Sequence, residues 1–209
     1  MTSVFIVYFS QSGCTEQLAQ ACAAGVNQQP GAHATIYPIR GERILNGRFR
    51  DPALFRALAN ADAIIFGTPT FMGGPAAQFK AFADASSENW EQQHWRDKLA
   101  AGFTVGGSFN GEQGSTLQSL ITLACQHGML WVGMDMPFSY TDKSINRLGV
   151  QYGSSAHAPE GTVHAQDLAT VRHLGSRVAR LAAQQVIARQ CAQATDSQLA
   201  PEPVLSQLM

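Results

Sequence analysis

The feature that most constrains this chain is an apolar run near its start that stops abruptly at a polar, hydroxyl-rich segment. Residues 4–9 are apolar without a break, which is typical of a strand buried on both faces in a parallel sheet. Between Leu18 and Val26 the apolar residues recur at helical spacing. Residues 10–15 are therefore predicted to form the loop between a central strand and the N-terminus of a helix.

This first loop has the composition of an anion-binding site. The free N–H groups and the positive dipole end of a helix N-terminus both favour an anion. Several of its residues carry hydroxyl groups, and its glycine lets a ligand approach the backbone closely. Its members are Ser10, Gln11, Ser12, Gly13, Cys14 and Thr15. A phosphate monoester fits this chemistry, and an ordinary β–α turn with capping hydroxyls is the alternative that the stretch leaves open.

Further apolar runs alternate with helical patterns along the chain. The runs are residues 34–39, 63–67, 99–105 and 129–133. This alternation predicts an α/β fold with a doubly wound, five-stranded parallel sheet and helices on both faces. Residues 135–162 show neither period, and we expect a long irregular segment there. Residues 1–191 are predicted to form a single domain, and the polar residues 192–209 a loosely ordered tail.

Two more glycine-bearing loops follow the third and fourth predicted strands. The second loop holds Pro69, Thr70, Phe71, Met72 and Gly73, and the third holds Gly106, Gly107, Ser108, Phe109, Asn110 and Gly111. Ligands of doubly wound sheets bind beyond the carboxyl ends of the strands, where the strand order reverses. All three loops are small and nearly uncharged, which favours a flat, hydrogen-bonding ring over a hydrolytic site.

Composition excludes several classes of protein. Charged residues make up 14% and the formal net charge is −1, with no basic stripe, so a nucleic-acid partner is not expected. The four cysteines are scattered without metal-binding spacing, which favours a reducing, cytoplasmic location and no metal site. The first apolar run is too short to span a membrane, so neither a signal peptide nor membrane insertion is expected. No catalytic triad or P-loop motif is present, and we assign no acid, base or nucleophile.

Several motifs together resemble a known family. The first loop fits Ser-x-x-Gly-x-Thr between a strand and a helix, and Gly67-Thr68-Pro69-Thr70 follows the third strand. These are similar to flavodoxin-like FMN proteins. Residues 63–70, Ala77-Gln78 and His127-Gly128-Met129 look like the WrbA-type NAD(P)H:quinone oxidoreductases. The resemblance covers most of residues 1–190 and implies the flavodoxin-like strand order 2-1-3-4-5.

The resemblance also implies a function and a site. It places the FMN phosphate on the first loop and the edges of the flavin ring on the second and third loops. It places His127 beside the flavin, Trp90 over the substrate pocket, and Ser12 near the nicotinamide. From its position at a helix end alone, a histidine such as His127 more often caps that helix, and the resemblance makes flavin contact an equal alternative. The activity implied is hydride transfer from NADH or NADPH to a quinone or similar flat acceptor by a ping-pong mechanism.

The chain departs from the family pattern at the site. The family has an aromatic residue where Ser12 stands, an arginine where Phe71 stands, and Ser-Thr-Gly-Thr where this chain has residues 106–109. These changes leave the choice of substrate and reductant open. The rival function is a flavodoxin-type single-electron carrier between proteins, although such carriers generally use a strongly acidic docking face.

Self-association is expected as well. The low charged fraction suggests that apolar surface lies in contacts between subunits, and the resembled family forms homotetramers. Aromatic residues in the segment 135–162, among them Phe138, Tyr140 and Tyr152, could then cover the flavin of a neighbouring subunit together with Trp90.

Overall fold

The computed structural model describes residues 1–137 and 145–199. Its elements in chain order are β1 (Thr2–Tyr8), α1 (Cys14–Asn27), β2 (Ala32–Pro38), a short 3₁₀ turn (Gly41–Arg43), β3 (Ile44–Leu45), β4 (Arg48–Phe49), α2 (Pro52–Ala59), β5 (Ala63–Phe71), β6 (Gly74–Pro75), α3 (Ala77–Ala85), α4 (Ser87–Glu91), β7 (Leu99–Gly106), α5 (Gln113–Gln126), β8 (Leu130–Trp131), β9 (Ser154–His157) and α6 (Ala165–Leu199).

The central sheet is parallel and has the strand order β2-β1-β5-β7-β8. This confirms the predicted doubly wound sheet and its order. From β1 the chain goes outward to β2 and then returns across β1 to β5. The strand order therefore reverses between β1 and β5, and the crevice at the carboxyl ends of these two strands is the expected ligand position.

The fifth position of the sheet is filled by two separate segments. β8 pairs with the start of β7, at Leu99 and Ala100, whereas β9 pairs in parallel with the end of β7, from Phe103 to Gly106. The expectation of an irregular segment over residues 135–162 is therefore wrong for Ser154–His157. These four residues form no apolar run, and their strand conformation comes from pairing with β7. Phe138 and Tyr140 lie outside the described residues.

The two faces of the sheet are covered by different kinds of side chain. On one face α1 and α6 pack closely, and a β-carbon added at Gly175 would lie 2.2 Å from the carbonyl oxygen of Cys22. The other face, under α2, α3 and α5, is filled with aromatic rings, among them Phe66, Phe82 and Trp95. Both faces thus exclude water from the strands, which explains the continuous apolar runs of the sequence.

The end of the chain is only partly described. α6 extends to Leu199, while residues 200–209 lie outside the described residues. The boundary between a domain and a polar tail at residue 191 stays a prediction. Within the described residues, no helix combines the length and the apolar character needed to cross a membrane.

Candidate functional site

The conformation of the first loop is fixed by the Ser10 hydroxyl and by the left-handed backbone of Gly13. Gly13 precedes α1 with φ 87°, a conformation that costs glycine little and other residues more. The Ser10 hydroxyl oxygen accepts hydrogen bonds from the Gly13 N–H (3.1 Å) and the Glu16 N–H (3.3 Å). Ser10 thereby fixes the turn into the helix.

Several donors of this loop are left without a protein partner. Among the described residues, none accepts a hydrogen bond from the N–H groups of Gln11, Ser12, Cys14 or Thr15. Thr15 is 1% exposed, and within the described part of the chain its hydroxyl also has no partner. A β-carbon added at Gly13 would have open space around it. The loop therefore offers the donors and the room that a phosphate group requires.

The predicted second loop is mostly strand: Pro69, Thr70 and Phe71 belong to β5, because Thr70 and Phe71 pair with β6, and only the tip of this hairpin is a turn. Thr70 pairs with Pro75, and Phe71 with Gly74. Met72 and Gly73 form the turn, with φ 49° and 76°, as in the two-residue turns that favour positive φ. Phe71 and Met72 are exposed. The hairpin therefore presents two large apolar side chains at the carboxyl end of the sheet.

Hydroxyl groups connect the second loop to the third. The Thr70 hydroxyl lies 2.9 Å from those of Thr104 on β7 and Thr116 on α5. The Thr104 hydroxyl donates to the carbonyl of Thr68 (2.7 Å). A β-carbon added at Gly73 would lie 3.7 Å from Glu112, just before α5. The second and third loops are thus neighbours, as their order in the sheet requires.

The main chain of the third loop is held by a residue that the sequence analysis did not find. Gln113 is buried; its side-chain oxygen accepts from the Gly111 N–H (2.9 Å) and its amide donates to the Ser108 carbonyl (2.5 Å). A β-carbon at Gly106 would lie 2.4 Å from that amide nitrogen, so a side chain there would displace the Gln113 amide from the loop. The residues between Gly106 and Gly111 are exposed.

A fourth segment, residues 158–164 between β9 and α6, also reaches the site. The Cys14 thiol donates to the carbonyl of Gly161 (3.3 Å), and Cys14 is buried. The first loop in turn lies beside the second, since the Phe9 N–H donates to the Gly67 carbonyl (3.0 Å). Among the described residues, no group of histidine, cysteine or acidic side chains could hold a metal ion. The site is built from backbone and hydroxyl groups.

His127 is not near these loops in the same chain. It follows α5, whose 14 residues span about 20 Å from the third loop. Its ring lies 4.1 Å from that of Trp95, and its Nε2 lies 2.8 Å from the Ser86 hydroxyl. That hydroxyl donates to the Ala83 carbonyl, so it accepts a hydrogen bond from the His127 Nε2–H. His127 is 2% exposed, and burial lowers its pKa to about 4.

Trp90 lies at this same amino end of the sheet. It belongs to α4, which follows the C-terminal end of α3, and it is 45% exposed. Gln93 and Arg96, which follow α4, lie next to Gly128. The structure thus brings the three predicted loops together and places both Trp90 and His127 at the opposite end. Their predicted contacts with flavin and substrate stay predictions.

Comparison with known proteins identifies the family. A family model described as NADPH-dependent FMN reductase matches residues 3–140. The chain is 37% identical over 192 residues to "Flavodoxin FldP" of Pseudomonas aeruginosa, covering 88% of this chain and 98% of that protein. It is 34% identical over 202 residues to an "NAD(P)H dehydrogenase (quinone)" of Geobacter sulfurreducens, covering 87% and 98%. The chain belongs to the NADPH-dependent FMN reductase family.

A solved structure agrees with this assignment. The crystal structure of a flavodoxin, WrbA-like protein from Agrobacterium tumefaciens matches with a TM-score of 0.69 and 40% identity, covering 88% of this chain and 99% of that one. An archaeal flavodoxin, 19% identical with a TM-score of 0.58, shares the fold. The fold is flavodoxin-like, and the predicted resemblance to WrbA-type proteins is confirmed.

Proposed function

We propose that the protein binds FMN at the carboxyl end of its sheet and uses NADH or NADPH to reduce quinones or similar flat acceptors. The observation that carries the proposal is the set of unpartnered donors around Gly13, including the hydroxyl of the largely buried residue Thr15. They fit a phosphate monoester, and two uncharged loops lie beside them. The quinone-reducing activity is supported by relatives named NAD(P)H dehydrogenase (quinone), which this chain matches over most of its length.

In this proposal each loop has a separate task. The N–H groups of the first loop and the Thr15 hydroxyl bind the phosphate, while the second and third loops bind the edges of the flavin ring. Bound FMN supplies the hydride and electron-transfer chemistry. Backbone N–H groups of the third loop, held by Gln113, would stabilise negative charge that develops beside them. No side chain is assigned as an acid or a base.

The proposal is tested first by cofactor content. Purified protein is denatured and any released flavin identified; apo-protein is titrated with FMN while flavin fluorescence is recorded. We expect the released flavin to be FMN, and we expect the fluorescence of added FMN to be quenched when it binds the apo-protein. NADH and NADPH oxidation is then followed with several quinones, and parallel lines in double-reciprocal plots are expected for a ping-pong mechanism. Failure of the apo-protein to bind FMN would overturn the proposal, whereas intersecting lines would overturn only the ping-pong mechanism.

A flavodoxin-type electron carrier is the second candidate, because one matching relative is named a flavodoxin. A carrier would bind FMN but would oxidise NAD(P)H with quinone negligibly, and would pass electrons only when a reductase protein is added. The net charge of −1 offers little electrostatic steering toward such a protein. Turnover of NAD(P)H with quinone and no added protein therefore decides between the two functions.

We further propose that the active form is a cytoplasmic homotetramer in which a neighbouring subunit completes each site. This would reconcile the position of Trp90 and His127 with the role that the resemblance implies for them, since neither lies near the loops of its own chain. Sedimentation in the presence of FMN tests the assembly. A species of 22.4 kDa at micromolar concentration would count against it.

Subunit exchange tests where Trp90 acts. Thr15→Asp places a negative charge against the phosphate and should abolish FMN binding, while Trp90→Ala should lower activity without loss of FMN. Mixed oligomers of these two variants should be more active than either variant alone, because the Trp90→Ala subunit binds FMN and its neighbour supplies Trp90. Each variant alone is the control. No recovery after exchange would place Trp90 and its flavin in one chain.

A further inference from the structure

Four side chains from separate segments meet beside the third loop. We call Phe109, Arg147, His157 and Asp167 the Asp167 cluster. Asp167 lies in the first turn of α6 and is 1% exposed. Its carboxylate accepts two hydrogen bonds from the Arg147 guanidinium (2.8 and 2.7 Å) and one from the His157 N–H (2.9 Å). One buried carboxylate thus holds both the end of β9 and a guanidinium group.

The cluster supports an exposed aromatic ring. The Phe109 ring stacks on the His157 ring, with centroids 3.9 Å apart and planes 25° apart. The Arg147 guanidinium lies 5.7 Å from the centre of the same ring. Phe109 is nevertheless 67% exposed. The Phe109 ring is therefore held by His157 and Arg147 on one side, while most of its surface remains exposed to solvent.

Holding the loop backbone does not require this arrangement. Gln113 already bonds to the main chain of the third loop on both sides of Phe109, so the cluster orients the Phe109 side chain instead. Burying a carboxylate with an arginine adds little net stability, because desolvation offsets the attraction. Arg147 is partly exposed while Asp167 is buried, so this bidentate pair lies at the surface beneath the exposed ring, where it can place that ring.

The ring stands beside the proposed cofactor site. β9 pairs with the end of β7 so that His157 lies opposite Gly106, the first residue of the third loop. The ring of Phe109 is carried by the loop that is expected to bind the flavin edge. A planar molecule that lies on the flavin and extends past this edge would meet an aromatic surface there, and aromatic pairs attract beyond their area of contact.

We propose that Phe109 is a specificity-determining residue that contacts the part of an aromatic acceptor extending beyond the flavin, and that His157, Arg147 and Asp167 are positioning residues for it. This inference rests on the proposed function. It implies a preference for acceptors with fused rings over single-ring acceptors. The chemical class is therefore quinones of two or more fused rings.

The test compares a naphthoquinone with a benzoquinone as acceptors for the FMN-loaded protein. Phe109→Ala should raise KM for the naphthoquinone about three- to tenfold, as the loss of one aromatic pair predicts, with little change for the benzoquinone. Phe109→Tyr should keep the preference, and Phe109→Leu should lose it. Affinity for FMN is measured in each variant and separates a contact with the acceptor from a contact with the cofactor. Ile187→Ala, at an exposed position far along α6, is the control for loss of a surface apolar side chain.

The positioning role is tested by coupling. His157→Ala should reproduce the effect of Phe109→Ala, while His157→Phe, which restores a stacking ring, should not. The double variant Phe109→Ala/His157→Ala should be no worse than Phe109→Ala alone, since His157 acts through Phe109. Additive effects in the double variant would overturn the positioning role.

The failures of the two proposals can be told apart. If the wild-type protein reduces quinones but Phe109→Ala leaves the ratio of the two KM values unchanged, this inference is wrong and the proposed function stands. Loss of FMN affinity in Phe109→Ala would also overturn it, because the ring would then serve the cofactor. If the wild-type protein binds no FMN, the proposed function fails and this inference fails with it.

Discussion

The two ends of the sheet are built on different principles. At the carboxyl end, short glycine turns such as those at Gly13 and Gly73 present backbone donors and exposed side chains. At the amino end, the rings of His127 and Trp95 contact each other and are buried. Groups left open to bind a ligand contribute little to folding, while groups packed against each other contribute much. Substitutions should therefore change binding at one end and stability at the other.

The largest effect is expected from Trp95→Ala at the amino end. Trp95 is fully buried and contacts the rings of Phe66, Phe82 and His127. Its truncation should lower the free energy of unfolding by about 3–5 kcal/mol, measured by urea denaturation. Trp90→Ala is the matched control and should change it by less than about 1 kcal/mol. If both substitutions lower the free energy of unfolding by similar amounts, the contrast between the buried Trp95 and the exposed Trp90 is wrong.

The folding stability should also depend on pH through a residue at the amino end, His127. The folded-state pKa of His127 is lowered to about 4 by burial, so between that pH and about 6.5 the unfolded state binds the extra proton. His127 thus contributes stability that is complete above pH 6.5 and decreases on acidification toward pH 4, by at most about 3 kcal/mol. The free energy of unfolding is measured for wild type and for His127→Gln at pH 7 and pH 5. The difference between the two proteins isolates the contribution of His127 from that of the carboxylates. If the free energy of unfolding changes equally with pH in both proteins, His127 does not contribute this pH dependence.

At the carboxyl end, Thr15→Val should weaken FMN binding by about 1–3 kcal/mol, because a hydroxyl donor to a charged phosphate is lost. The dissociation constant from fluorescence titration measures this. Thr122→Val on α5, whose hydroxyl donates to the Gln118 carbonyl at an exposed position, should leave the constant unchanged. Equal affinities for wild type and Thr15→Val would exclude this hydroxyl as a phosphate ligand.

The smallest effect is expected from Phe71→Arg, which introduces the residue that the family has at this position. Because Phe71 is exposed on a hairpin, stability should change by no more than about 0.5 kcal/mol. A cation beside uncharged loops should lower KM for NADPH by up to about fivefold at low salt, corresponding to about 1 kcal/mol, and less at high salt. Phe71→Gln is the uncharged control and should not lower KM.

The sequence predicted those parts of the protein in which local pattern and structure coincide. β1, β5 and β7 are buried on both faces, so each forms an apolar run, and the loops that follow them are visible as glycine and hydroxyl residues. β9 was missed because its four residues form no apolar run and depend on β7 for pairing. The Asp167 cluster was missed because no spacing connects its segments.

The environment of His127 could not be predicted for a related reason. Its place at a helix end is visible in the sequence, and both capping and flavin contact were open there. Its burial depends on Trp95, which lies in a polar stretch of the chain, and on how α3 packs beside α5 through Ser86. Such packing between distant segments leaves no periodic signal.

The division of the fifth strand between β8 and β9 has a consequence for local unfolding. Among the described residues, β9 pairs only with β7, over four residues, and the buried hydroxyl of Ser154 has no partner. Opening β9 breaks this one ladder together with the hydrogen bond from the His157 N–H to Asp167, and it leaves β1, β5 and most of β7 intact. Amide hydrogens of β9 should exchange with solvent at a lower free energy than those of β1, so this edge of the sheet forms a separate cooperative unit.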